Sequence, residues 1–355
     1  MKYPFIDFDF TFNELNRDIQ SFRKIKFFRQ IKPVYIVLLS LFVVFTACNE
    51  SGKTDKSLLP NSVGNINALQ IITPNDLWNG MVGEAIRNNF AAPTDGLPQD
   101  EPLFSMNQMP PEAFTGFARS NRLFLYVVLS DENKATIATD EYAKPQSGAV
   151  IMATSEEELV ALINKNSAKI IEAFHASEIK ERQRRTAVSL MKIDSLKKVM
   201  GVSLQIPSAY RIAKATDSFF WLRKDLKDGT TNILVYEVPM DMINNDSTAV
   251  GDIIKIRDSI GSKLLPVEDD GQFITEDAYA PYLFITKIDG KFAYETKGTW
   301  EVKDAWMGGP FVNYAVRDEK NNRYLILEGF TYAPAVAKRD LQFELESILN
   351  SAKIE

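Results

Sequence analysis

An apolar run near the N-terminus constrains this chain more than any other feature of its sequence. Residues 34–47 are apolar except for Ser40 and Thr46, and five basic residues lie between positions 23 and 32. A helix needs roughly 20 apolar residues to cross a bilayer core of ~30 Å. The 14-residue run is short for that, and a basic segment followed by such a run is typical of an export signal peptide.

The only cysteine of the chain, Cys48, follows this run directly. Residues 45–48, Phe-Thr-Ala-Cys, resemble a lipobox, in which the cysteine receives a diacylglyceryl group before cleavage. We therefore predict a signal peptide over residues 1–47 and lipid attachment at Cys48. Acyl chains such as palmitate add ~0.8 kcal/mol of membrane affinity per buried CH₂ group, so several chains form a stable anchor. An uncleaved single-pass anchor is the alternative.

Composition excludes several classes of site. The first 47 residues contain seven basic and four acidic residues, which leaves 34 basic and 43 acidic residues, a formal charge of −9. Nucleic acid is therefore not expected as a partner. With one cysteine and one histidine, His175, the chain has no material for an internal disulfide or a Cys/His zinc site. The sequence indicates no metal and no cofactor, and it favours a non-catalytic protein over an enzyme.

Strand and helix patterns predict an α+β fold with mostly antiparallel sheets and packed helices. We divide the chain into a polar tether (48–63), a first half (64–200) and a second half (201–355). The halves are either two related βαβ-type units or one non-repetitive domain. Strands are predicted at 68–73, 123–129, 233–238 and 324–332, and a hairpin around Asp289-Gly290. Helices are predicted at 77–90 with Asp76 as N-cap, 155–199 as one helix or a helical hairpin, 248–265 and 336–354.

Three short motifs carry a family resemblance. They are residues 78–87 (Trp-Asn-Gly-Met-Val-Gly-Glu-Ala-Ile-Arg), 97–104 (Leu-Pro-Gln-Asp-Glu-Pro-Leu-Phe) and 307–312 (Met-Gly-Gly-Pro-Phe-Val). In combination they resemble the domain-of-unknown-function family 4837, envelope lipoproteins of the Bacteroidota, from residue 64 to the C-terminus. The resemblance implies an envelope location and supplies no activity, cofactor or catalytic residue.

The resemblance also bears on which face of the outer membrane the protein occupies. Surface export in these bacteria tends to use an acidic cluster just after the lipidated cysteine. Here Glu50 and Asp55 alternate with Lys53 and Lys56, so the segment has no net acidic cluster. We therefore expect a lipid anchor in the outer membrane, on the periplasmic face rather than the cell surface.

Two acidic segments are candidate sites. Asp95, Asp100 and Glu101 lie in a proline-rich loop, where paired carboxylates could act as general acid and base on a glycan. The alternative is a rigid loop with solvated acids.

The second segment has Trp300 and Trp306 on either side of Glu301 and Asp304, followed by Gly308-Gly309. Aromatic rings beside carboxylates would suit a sugar-binding cleft, and the glycines would allow a close backbone approach. The alternative is a tight turn with tryptophan in the core.

Two further features belong to the helical zone. His175 has no convincing serine and aspartate partners and is predicted to be a surface or half-buried residue. The charged run 180–185 either touches anionic lipid headgroups or forms a solvated helix face.

Three functions remain open. The leading hypothesis is a non-catalytic binding or assembly module for an unknown envelope protein or polymer. A carboxylate-dependent glycan hydrolase would require Asp100, Glu101, Glu301 or Asp304 to converge in one cleft with shifted pKa values. A structural scaffold would show a large exposed apolar patch without a deep pocket.

Overall fold

Two β-sheets, each with its own helices, make up the described part of the chain. The computed structural model describes residues 56–244, 247–267 and 271–355. The predicted signal peptide, Cys48 and the first half of the tether (48–55) lie outside these ranges. Within them, no helix combines the length and apolar character needed to cross a membrane.

The first sheet has five strands and lies in the first half of the chain. Its strands, in chain order, are β1 (Ala68–Ile72), β2 (Ser105–Met109), β3 (Leu123–Leu129), β4 (Lys134–Thr139) and β5 (Ser147–Ala153). The spatial order is β2-β1-β3-β5-β4, and only β4 runs antiparallel to its neighbour. Helices α1 (Asn75–Asn79), α2 (Met81–Phe90) and α3 (Glu156–Thr186) belong to this half. The core includes residues of α2, α3 and the sheet, such as Ile86, Phe174 and Val127.

Helix α3 is a helix of 31 residues that ends at Thr186, so the predicted zone 155–199 is not one continuous helix. It begins after Ser155, whose hydroxyl accepts a hydrogen bond from the backbone N–H of Glu158, as the capping-box pattern predicted. The chain then breaks before α4 (Asp194–Met200). Leu196 and Met200 of α4 pack into the core of the second half, so the change from one core to the other falls between α3 and α4.

The second sheet is antiparallel throughout. It contains β7 (Arg211–Ala215), β8 (Phe219–Leu226), β9 (Gly229–Pro239), β10 (Phe273–Thr275), β11 (Tyr282–Ile288), β12 (Lys291–Val302), β13 (Gly308–Asp318) and β14 (Arg323–Tyr332). The order is β10-β12-β13-β14-β9-β8-β7, and β11 pairs with β12 beside β10. A separate two-stranded ladder joins β6 (Val202–Ser203) to β15 (Lys353–Ile354).

Alternation along the strands gives this sheet two buried faces. Val312 and Tyr314 of β13 join the cluster that contains α4 and α6 (Arg339–Leu349), whereas Phe311 and Ala315 join the cluster that contains α5 (Ala249–Leu264). Both faces are therefore covered by helices.

The α+β prediction is confirmed, and so is the hairpin, where Asp289 and Gly290 have φ angles of 49° and 77°. The first sheet is mainly parallel, because helices and loops carry the chain back across it between β1, β2 and β3. The prediction of Asp76 as N-cap was wrong. The helix begins at Asn75 after Pro74, and it is interrupted at Gly80, whose backbone is extended.

Candidate functional site

Most of the predicted site residues meet at one open cleft of about 1230 Å³. Its walls come from the proline-rich loop (93–100), the segment 276–282 before and into β11, and the ends of β12 and β13 with their connecting turn. Six candidate residues line the cleft, namely Asp95, Asp100, Trp300, Glu301, Asp304 and Trp306. The fold thus joins two segments that lie 200 positions apart in the sequence.

Glu101 does not line the cleft. Its two carboxylate oxygens accept hydrogen bonds from the backbone N–H groups of Lys338 and Arg339, at 2.7 and 2.8 Å, where α6 begins. The Arg339 guanidinium returns a hydrogen bond to the carbonyl of Pro102 at 2.9 Å. Since helix N-termini carry unpaired donors and a partial positive charge, Glu101 fastens the proline-rich loop to the second half.

A second contact fixes the same loop to β12. Gly96 has φ of +79°, and a Cβ atom there would lie 2.8 Å from Cβ of Lys297 and 2.9 Å from the Gly298 nitrogen. A side chain would therefore be both strained and obstructed. Backbone hydrogen bonds from Thr94 to Glu101 and from Leu103 to Ala92 close the loop on itself. The proline-rich loop, which forms one wall of the cleft, is therefore fixed to β12 near Gly96 and to the start of α6 through Glu101.

The two predicted tryptophans have different roles. Trp300 is buried, stacks on Phe273 with ring centroids 4.7 Å apart, and donates its indole N–H to the carbonyl of Thr331 at 3.2 Å. Its side chain belongs to the core, as the alternative interpretation held. Trp306 is fully exposed on the turn after Asp304, whose φ is 63°.

Gly309 explains the close backbone approach that the glycine pair suggested. A Cβ atom at this position would lie 2.0 Å from the carbonyl oxygen of Thr331 on the neighbouring strand. The approaching backbone belongs to β14. The glycine therefore permits strand packing beneath the cleft.

The sequence analysis missed two tyrosines of the cleft. Tyr279 and Tyr282 line it and are 72% and 49% exposed. They lie in a segment without a recognisable motif, and only their aromatic character could have drawn attention to them.

The cleft is strongly acidic. Five carboxylates line it, those of Asp95, Asp100, Glu276, Glu301 and Asp304, and no lysine or arginine does. Lys297 lies behind the loop and is attracted by the charge of Asp95. Burial raises the pKa of the Glu301 carboxyl, and the charges of Glu276, Asp277 and Asp304 raise it further. A cavity lined by one sign of charge attracts ligands of the opposite sign.

A separate polar cluster joins the two halves beneath the loop. His175 Nε2 of α3 lies 3.0 Å from Glu346 Oε1 of α6, and Lys297 Nζ of β12 lies 3.6 Å from the second Glu346 oxygen and 3.0 Å from Glu295. A small cavity of about 110 Å³ lies beside it. His175 is half-buried, as one alternative predicted.

The charged groups of this cluster shift one another's pKa values. Burial opposes protonation of His175, yet the Glu346 carboxylate outweighs burial and raises the pKa of the imidazole. Burial likewise opposes ionisation of Glu346, but Lys297 and His175 lower the pKa of that carboxyl to about 2. The cluster is therefore an electrostatic junction between α3, α6 and β12.

The charged run 180–185 mostly makes contacts within the fold. Glu181 accepts hydrogen bonds from Arg184 and Arg185, and Arg182 pairs with Glu344 of α6. No cluster of histidine, cysteine, aspartate or glutamate suitable for a metal ion occurs among residues 56–244, 247–267 and 271–355.

Comparison with known proteins identifies the two halves separately. Residues 62–187 match the family model for a domain of unknown function (DUF8532), and residues 189–351 match the model for another (DUF4837). The motif at 307–312 lies inside the second match, and the other two motifs lie inside the first. A search of curated proteins finds no match.

One similar solved structure is the Ran-binding protein Mog1p of Saccharomyces cerevisiae, with 8% identity and a TM-score of 0.28 over 43% of this chain and 89% of that chain. A likeness this weak carries no argument. Residues 189–351 match the domain-of-unknown-function family 4837, which the resemblance named, whereas residues 62–187, where two of the three motifs lie, match a different family model.

Proposed function

We propose that the protein is an envelope lipoprotein, anchored through Cys48 in the outer membrane and facing the periplasm. The support is the basic segment, the 14-residue apolar run and the lone cysteine that ends it. Intact mass of the membrane-extracted protein tests this. A chain that begins at residue 48 with added acyl mass, and a Cys48→Ala variant that stays unprocessed or turns soluble, are the expected results. A free thiol at Cys48 with residues 1–47 attached would refute the anchor.

We further propose that the folded part is a non-catalytic module that binds a positively charged ligand in the acidic cleft. The observation that carries this is the lining itself, which combines five carboxylates, exposed aromatic rings and no lysine or arginine. Exposed rings such as Trp306 attract ammonium or guanidinium groups by ~0.5–1 kcal/mol each, and more when water is excluded. The five carboxylates add a negative field that favours the same ligands.

Spermidine, a small flexible polycation, is a suitable first probe. Titration of the full chain in detergent, followed by the emission of Trp306, should give saturable binding that weakens as salt is raised. Trp306→Phe should remove the change in emission on spermidine binding, because the other tryptophans are buried or half-buried and lie out of direct reach of the ligand.

Charge-matched variants test where the probe binds. The pair Glu301→Gln and Asp304→Asn removes two carboxylates of the cleft, and the pair Asp131→Asn and Glu132→Gln removes two exposed carboxylates of the β3–β4 turn. The first pair should weaken spermidine binding by about tenfold, equivalent to ~1.4 kcal/mol, and the second should leave it nearly unchanged. Equal effects of the two pairs would assign binding to net charge rather than to the cleft.

A glycan hydrolase is the second candidate, and the raised pKa of Glu301 beside Asp304 favours it. A carboxyl of raised pKa can serve as a general acid next to an ionised partner. Release of reducing ends from peptidoglycan or polysaccharide, abolished by Glu301→Gln, would establish this activity. The same cleft argues against the pure scaffold, which required a surface without a deep pocket.

A further inference from the structure

We propose that the free edge of β11 receives an extended, positively charged peptide segment as an additional strand, which continues into the acidic cleft. This inference rests on the proposed function, since it names the ligand class of the same cleft. Among the described strands, β11 pairs with β12 alone. About half of its seven residues therefore turn their N–H and C=O groups away from the sheet. Peptides that bind by strand addition use such an edge.

The side chains of β11 offer apolar contacts on both faces. Tyr282 and Phe284 lie on one face with parallel rings whose centroids are 6.3 Å apart, and Ile285, 73% exposed, points to the other. Cross-strand pairs with aromatic or β-branched residues stabilise neighbouring strands, so an added strand would gain contacts on both faces.

The edge leads directly into the cleft. β10 and β11 pair with the same side of β12, and the chain between them passes through the cleft-lining residues Glu276 and Tyr279. A strand that pairs with β11 and extends past Tyr282 therefore meets the acidic and aromatic surface. Charge complementarity then selects basic side chains, because the cleft lining contains no lysine or arginine to repel them.

The opposite edge of the same sheet provides a natural comparison. It is formed by β7, which carries Arg211 and Lys214 and exposes Ile212 at 41%. Charged residues on an edge oppose pairing with other chains. We therefore expect peptide addition at β11 and none at β7.

The test compares three probes on the full chain in detergent by calorimetry and Trp306 emission. They are a blocked peptide of alternating Lys and Val, the same peptide methylated at every backbone nitrogen, and spermidine. Methylation keeps the charge but removes the ladder donors. We expect it to weaken binding by about tenfold or more, ~1.4 kcal/mol.

Two matched variants locate the binding edge. Ile285→Lys places a charge on β11, and Ile212→Lys places the same charge on β7. Ile285→Lys should weaken the unmethylated peptide about tenfold and change spermidine binding much less, whereas Ile212→Lys should change neither. The methylated peptide requires no variant, so the test stands even if a variant folds poorly.

The outcomes separate the two proposals. Equal binding of the two peptides, or equal effects of the two variants, would overturn strand addition, while saturable spermidine binding would leave the cleft as a cation site. If neither peptide nor spermidine binds, the proposed function itself fails. A Trp306 shift with phosphatidylcholine vesicles and none with peptide would overturn the peptide ligand and assign the aromatic edge to a membrane surface.

Discussion

Arg122 and Glu178 form an ion pair that solvent barely reaches, with side-chain exposures of 1% and 0%. Arg122 Nε and Nη2 lie 2.5 and 3.0 Å from the two carboxylate oxygens, and the guanidinium also donates to the carbonyls of Gly64 and Asn65. The backbone N–H of Asn67 donates to the same carboxylate at 2.6 Å. The pair therefore connects α3 to the residues before β1 and β3.

Arg122→Met would leave the buried Glu178 carboxylate with the Asn67 N–H as its remaining donor. Removal of one partner from a buried pair costs ~3–5 kcal/mol, whereas replacement of both by apolar residues is often neutral. We expect Arg122→Met to lower the free energy of unfolding by ~3–5 kcal/mol, and Arg122→Met with Glu178→Leu to recover most of it. Urea unfolding of the full chain, followed by circular dichroism, measures both.

The exposed pair of Lys134 and Glu132, 3.9 Å apart, serves as the control. Lys134→Met should change stability by less than ~1 kcal/mol, because solvent screens exposed pairs. If Arg122→Met costs no more than this control, or if the costs of Arg122→Met and Glu178→Leu simply add, burial is not the source of the effect and the reasoning is refuted.

Three further predictions concern the loop and the junction. Glu101→Ala should lower stability by ~1–2 kcal/mol in urea unfolding, because two N–H groups at the start of α6 lose their acceptor. Gly96→Ala should cost more than ~1 kcal/mol and weaken spermidine binding, since φ is +79° and Lys297 obstructs a Cβ. The stabilisation from His175, whose pKa is raised, is full below pH 6.5 and lost as pH rises through the folded value, and that from Glu346 is full above pH 4.5 and lost as pH falls towards 2. Melting temperatures should therefore be highest between about pH 4.5 and 6.5. His175→Gln should flatten the high-pH side, and it should also weaken the low-pH dependence in part, because His175 and Lys297 together lower the pKa of Glu346.

The sequence correctly predicted those helix starts and turns that depend on only a few neighbouring residues. Ser155 with Glu158 identified the start of α3, and Asp289-Gly290 identified a turn that requires positive φ. The strands β4 and β5 were missed. Their residues, Lys-Ala-Thr-Ile-Ala-Thr and Ser-Gly-Ala-Val-Ile-Met-Ala, include small side chains and give a weak alternation. Parallel pairing in the first sheet depends on crossover connections, which no local pattern reveals.

The sequence identified individual residues of the candidate site, but it did not predict which of them line the cleft. Asp100 and Glu101 are neighbours with the same chemistry, yet one lines the cleft and the other binds the first turn of α6. Trp300 and Trp306 are likewise of one type. Trp300 lies on a strand, where alternation turns it onto Phe273, and Trp306 lies on the following turn, where nothing covers it among the described residues. Tertiary packing decides both cases. The sequence could therefore identify these four residues as candidates, but it could not show which are exposed in the cleft and which bind or pack elsewhere.

The contrast between strand edges supports a function for β11. The edges of the first sheet, β2 and β4, show no large exposed hydrophobic residue among those described, and β7 carries two basic residues beside Ile212. β11 instead exposes Tyr282, Phe284 and Ile285, with Lys287 as its only charge. Proteins ordinarily protect such an edge, because it invites pairing with other chains. No strand among the described residues covers this apolar edge, and the edge leads into an acidic cleft. A ligand that covers the edge explains both features, because packing within the described fold gains nothing from the exposure.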